Sequence, residues 1–72
     1  MGIIVINSKI FGGKPIIKGT RISVEFILEM LASGMSPLEI LKEYPHLKKS
    51  DILDVLTYAV HRVKQEEVYS TN

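Results

Sequence analysis

The segment Gly34-Met35-Ser36-Pro37-Leu38-Glu39 constrains this chain more than any other, because it sets a helix end and a helix start almost back to back. Ser36 and Glu39 have the spacing of a capping box, in which the serine hydroxyl takes a first-turn amide and the carboxylate takes the amide of the cap. Pro37 falls at the first helical position, where its missing N–H costs nothing. Gly34 suits the left-handed residue that closes a preceding helix. A chain with this punctuation reverses between two helices through a tight connection.

Both flanking helices are legible. Upstream, Val24, Ile27, Leu28 and Leu31 recur at i, i+3, i+4 and i+7, one face of an amphipathic helix, with Ser23 as its N-cap. Downstream, the helix from Pro37 should stop near Glu43, because Tyr44-Pro45 disfavours continuation, and Ile40 and Leu41 should face inward. A third and longest helix is predicted from Lys49 or Ser50 to Glu66, with Ile52, Leu53, Leu56, Ala59, Val60 and Val63 as its apolar stripe. Residues 68–72 have little to pack against and should fray.

Before the helices, Ile3-Ile4-Val5-Ile6 reads as a strand with two apolar faces, which needs cover on both sides. Lys14 to Lys18 could form a second extended segment, with Pro15 at its start or on an edge. The expected fold is mainly α: a three-helix helix-turn-helix bundle with one or two short N-terminal β-strands. Residues 1–22 form the strand segment of the same domain, 23–67 the bundle and 68–72 a tail.

With 72 residues, such a chain buries only ~60% of its unfolded surface. Chains this small commonly rely on disulfides, metals or a partner subunit. No cysteine is present, which removes disulfides and thiolate metal sites and fits a reducing compartment. A homodimer is therefore expected, with Ile3, Ile4, Val5 and Ile6 pairing across it. The N-terminus lacks the basic flank and cleavage site of a secretory signal, and its apolar run is too short to cross a bilayer. A cytoplasmic location without membrane association is the expectation.

Net charge is +1, but it is unevenly distributed. Residues 1–22 carry Lys9, Lys14, Lys18 and Arg21 without an acid, whereas residues 23–47 carry Glu25, Glu29, Glu39 and Glu43 against Lys42 alone. Either a nucleic-acid surface or a basic segment folded against an acidic one accounts for this.

Catalytic and cofactor chemistry finds little support. Gly13 to Thr20 superficially matches a phosphate-binding loop, but the order of glycine, lysine and threonine is wrong, and Pro15 removes an amide. His46 and His61 have no ligand pair at helical spacing nearby, so no metal is expected. No serine has a base and an orienting acid at readable spacing. The chain reads as a binding protein without enzyme activity or cofactor.

In a helix-turn-helix the second helix of the motif enters the DNA major groove by its N-terminal end. Here that end offers Lys48, Lys49 and Ser50, joined by Lys14 and Lys18 if the strands lie beside it. Asp51 and Asp54 oppose phosphate, so DNA binding by the isolated protein should be weak and strongly salt-dependent. Gly19-Thr20-Arg21 reads as an architectural turn into the first helix, with Glu25 and Glu29 as candidate carboxylates for Arg21. Tyr44 and Tyr58 read as packing residues.

Gly13 to Ile22 followed by Val24, then Gly34 to Pro37, then Tyr44-Pro45-His46-Leu47 with Asp51-Ile52, resemble the domain-of-unknown-function family numbered 433 over residues 10–60. The resemblance implies a homeodomain-like bundle preceded by short strands. For some members it extends to VapB-type antitoxins encoded beside PIN-like ribonuclease toxins. It implies an antitoxin-like, DNA-associated regulatory module that binds and restrains a PIN-like ribonuclease; the alternative is a structural or adaptor homodimer without DNA contact. Ser23 replaces the family's usual proline. Lys48 stands where threonine or serine would cap the third helix, so that helix could begin as late as Ser50. A toxin-binding tail is expected to be absent or reduced to residues 65–72.

Overall fold

The computed structural model describes residues 4–6 and 13–66. The chain is mainly helical: strands β1 (Ile4–Ile6) and β2 (Pro15–Ile17) precede helices α1 (Val24–Ala32), α2 (Pro37–Glu43) and α3 (Lys49–Glu66). Ile3 and residues 67–72 lie outside the described residues. No helix among the described residues is long and apolar enough to cross a membrane.

The two strands form an antiparallel pair within one chain, with Ile4 opposite Ile17, Val5 opposite Ile16 and Ile6 opposite Pro15. β1 is thus paired along one edge within its own chain. Beyond β2 the chain turns sharply. The Ile17 amide donates to the Ile22 carbonyl at 3.0 Å, and Ile16 bridges Ser23. β2 is therefore covered along both edges and buries both Ile16 and Ile17, while β1 is the outer strand.

Each helix boundary has a local cause. The Ser23 hydroxyl accepts the Phe26 amide at 3.0 Å, capping α1. At the other end of α1, Gly34 adopts φ of 105°. The Gly34 amide donates to the Leu31 carbonyl and the Met35 amide to the Met30 carbonyl, the paired closure of a Schellman motif. The Ser36–Glu39 box is complete, with 2.8 and 3.1 Å bonds in its two directions. α2 gives way at Tyr44, before Pro45.

α3 begins at Lys49 without sliding to Ser50. The Asp51 carboxylate accepts the Lys48 amide at 2.8 Å and supplies half of a capping box from inside the helix.

The core gathers Ile17, Val24, Ile27, Met30, Ile40, Leu47, Ile52 and Val55. Tyr44 and Tyr58 pack against it, and Phe26 meets Tyr44 edge to face with ring centroids 5.8 Å apart.

The stripe expected on α3 requires correction. Ile52 is buried, but it is joined by Val55, whereas Leu53, Leu56, Val60 and Val63 are 56%, 40%, 53% and 67% exposed. α3 carries two overlapping apolar arcs, both compatible with helical spacing. Only its docking angle against α1 and α2 selects the arc through Ile52 and Val55. From Val60 to Gln65 every residue is exposed, so the second half of α3 reaches past the bundle.

Candidate functional site

The turn after β2 is built by two residues. Gly19 takes φ of 80°, a left-handed conformation that side chains with a Cβ resist. Thr20 then ties the turn together: its hydroxyl donates to the Ile17 carbonyl at 2.7 Å and accepts the Ile22 amide at 3.0 Å. Arg21 is exposed, and the fork expected between it and Glu25 or Glu29 is not formed. Glu25 instead receives Lys14, at 2.8 Å.

That ion pair separates the candidate DNA-binding lysines. The hydrogen bond from Lys14 to Glu25, and then the attraction between their charges, raise the lysine pKa above its ordinary value. Lys14 reaches α1 through an exposed pair, and here a basic segment does fold against an acidic one. Lys18 goes elsewhere. With Ile17, Gly19, Thr20, His46, Lys48 and Asp51 it lines a concavity of about 430 Å³, where the turn after β2 meets the loop leading into α3.

The concavity unites residues nearly thirty positions apart in the chain, which is why Lys18 and Lys48 could not be joined from sequence. Lys18, His46 and Lys48 are all exposed on its rim. The positive end of the α3 dipole points the same way and favours an anion there. Asp51 opposes it, although one of its carboxylate oxygens already accepts the Lys48 amide. Lys49 and Ser50 are exposed on the first turn of α3 without lining the concavity. His46, read from sequence only as a poor metal ligand, joins this site because Leu47 is buried beside it. Among the described residues no group of three or more histidine and acidic side chains is arranged to hold a metal ion.

A second concavity, of about 450 Å³, runs along α3 and is lined by Leu56, Ala59, Val60, Val63 and Lys64. Sequence reasoning assigned most of these residues to the core, so this surface was missed. The available signal was the width of the apolar arc, which spans Ile52, Leu53, Val55 and Leu56 within a single turn.

No curated protein and no solved structure matches the chain. The family described as "Protein of unknown function (DUF433)" matches residues 4–59, from β1 through most of α3, and the chain belongs to that family.

Proposed function

We propose that this protein is an antitoxin-like regulatory module that associates with DNA through the start of α3 and restrains a PIN-like ribonuclease, acting by binding and not by catalysis. The observation that carries the DNA half is the convergence of Lys18, His46 and Lys48 on one concavity at the end of α3 that a helix-turn-helix presents to the groove. The ribonuclease half rests on the resemblance to VapB-type antitoxins.

The electrostatics limit how tightly a single chain binds. Lys18, Lys48 and Lys49 are available, Lys14 is held by Glu25, and Asp51 faces the same concavity. Three neutralised phosphates give a slope of log affinity against log salt of about −3 per chain, and affinity for nonspecific DNA of ~10⁻⁴–10⁻⁶ M.

Fluorescence anisotropy with the protein's own upstream DNA across a salt series tests this. Lys18→Glu and Lys48→Glu should each weaken binding and flatten the slope by about one unit, while Lys14→Glu should leave the slope nearly unchanged. Binding indifferent to Lys18 and Lys48 would remove the DNA half. Purification of the protein from its native cell should bring a ribonuclease with it; its absence would remove the toxin half. The exposed apolar stripe of α3 favours a second reading, a structural or adaptor homodimer without DNA contact, which the same titration separates from the first.

A further inference from the structure

The exposed apolar residues of α3 are spaced three, four and three apart: Leu53, Leu56, Val60 and Val63. These are successive a and d positions of a heptad. A helix at the surface of a monomer needs one apolar stripe, and α3 already spends one on the core through Ile52 and Val55. Contiguous apolar surface of this kind marks an interaction site in a soluble protein. We propose that the second stripe seats a second copy of this chain, with the two α3 helices antiparallel about a two-fold axis passing level with Tyr58.

The occupant follows from the pattern. A three-four-three spacing reads the same in both directions, as an isologous interface requires. Reversal lays Leu53 level with the partner subunit's Val63, and Leu56 level with the partner subunit's Val60. Every layer then opposes a larger leucine to a smaller valine, which fills the seam evenly. A parallel pairing would stack leucine on leucine at one end and valine on valine at the other.

Thr57 and Ala59, both small, flank the axis and let the helices approach closely. Ser50, Thr57 and Lys64 form one border of the seam. On that border reversal brings the partner subunit's Lys64 level with the turn between Ser50 and Asp54, giving the Asp54 carboxylate an opposite charge. The projection of α3 beyond the bundle leaves this face accessible. The arrangement would also set the two α3 starts roughly 27 Å apart along the helix axis, at 1.5 Å per residue. That is shorter than the roughly 34–36 Å between half-sites one DNA turn apart, and the dimer does not depend on DNA binding.

Sedimentation equilibrium of the full chain over a concentration series should show a monomer–dimer equilibrium. Val60→Glu should raise the dissociation constant at least ~30-fold, the scale of a central interface residue. The helical circular dichroism of the chain should be kept, because Val60 lies outside the core.

The chain has no cysteine, so single cysteines read the direction of pairing. Thr57→Cys should join to its own copy through a short bis-maleimide. Ser50→Cys should not, its two copies being roughly 24 Å apart along the seam at 1.5 Å per residue. A monomer at every concentration overturns the proposal and leaves the stripe to a different protein. So does a dimer unmoved by Val60→Glu but broken by Val5→Lys, which would place the contact on β1. Equal cross-linking of Ser50→Cys and Thr57→Cys overturns the antiparallel direction. None of these outcomes bears on the DNA titration.

Discussion

At the scale of single residues, the turn between β2 and α1 divides into parts that hold the fold and a part that does not. Thr20 makes two hydrogen bonds in a partly buried position, so Thr20→Val should cost about 1–3 kcal/mol through the Ile22 amide left unpaired, the Ile17 carbonyl keeping the Thr20 amide. Gly19→Ala meets no atom within 4 Å; its cost is the left-handed backbone, about 1–2 kcal/mol. Arg21 has no carboxylate partner among the described residues, and Arg21→Ala should fall within the ±0.5 kcal/mol usual for surface changes. Thermal denaturation of the three variants should rank them so, and a loss of stability in Arg21→Ala comparable to that in Thr20→Val would contradict it. The Lys14–Glu25 pair is exposed on both sides, and such pairs contribute little. Because the Lys14 pKa is raised, its contribution is present at neutral pH and is lost as pH rises through that raised value in alkali. Lys14→Met should therefore leave the melting temperature at pH 7 nearly unchanged.

At the scale of elements, the helix starts differ in how they are capped. α2 has both halves of its box, and Ser36→Ala should cost ~1 kcal/mol. α3 has only the half that Asp51 supplies, with Lys48 where a capping hydroxyl would stand and its charge at the positive end of the helix dipole. Lys48→Ser should therefore stabilise the chain by about 0.5–1 kcal/mol, read as a higher melting temperature. On the proposed function it should weaken DNA binding in the same variant. A gain in both, or a loss in both, would break the link drawn between the poor cap and the phosphate site. The capping box, the Schellman closure and the Tyr44-Pro45 stop were all legible in sequence because each is made by residues within a few positions of one another. The pairing of β1 with β2 was not, since an apolar three-residue strand accepts any edge of matching register and its sequence does not say which chain supplies it.

At the scale of the whole molecule, a core this small makes each buried side chain matter. Ile27 is fully buried, and Ile27→Ala should cost about 2–5 kcal/mol. A single core in a chain of this size supplies only about 3–5 kcal/mol, so the variant should be largely unfolded at 37 °C by circular dichroism. Leu53→Ala and Val63→Ala should leave the fold in place and weaken only the proposed seam. The sequence by itself determined the number and order of the helices, their ends, the turn residues and most of one core, because periodicity and capping are local properties of the chain. It also carried the motifs of the family. Tertiary structure alone decided which of the two apolar arcs of α3 faces inward, because both satisfy the helical period and only the docking angle of α3 against α1 and α2 distinguishes them. It also decided that Lys18 sits with Lys48 while Lys14 is neutralised by Glu25. Positions four apart on an extended segment diverge or converge according to how the next turn folds back, and the direction of that fold is set by long-range packing on Ile16 and Ile17.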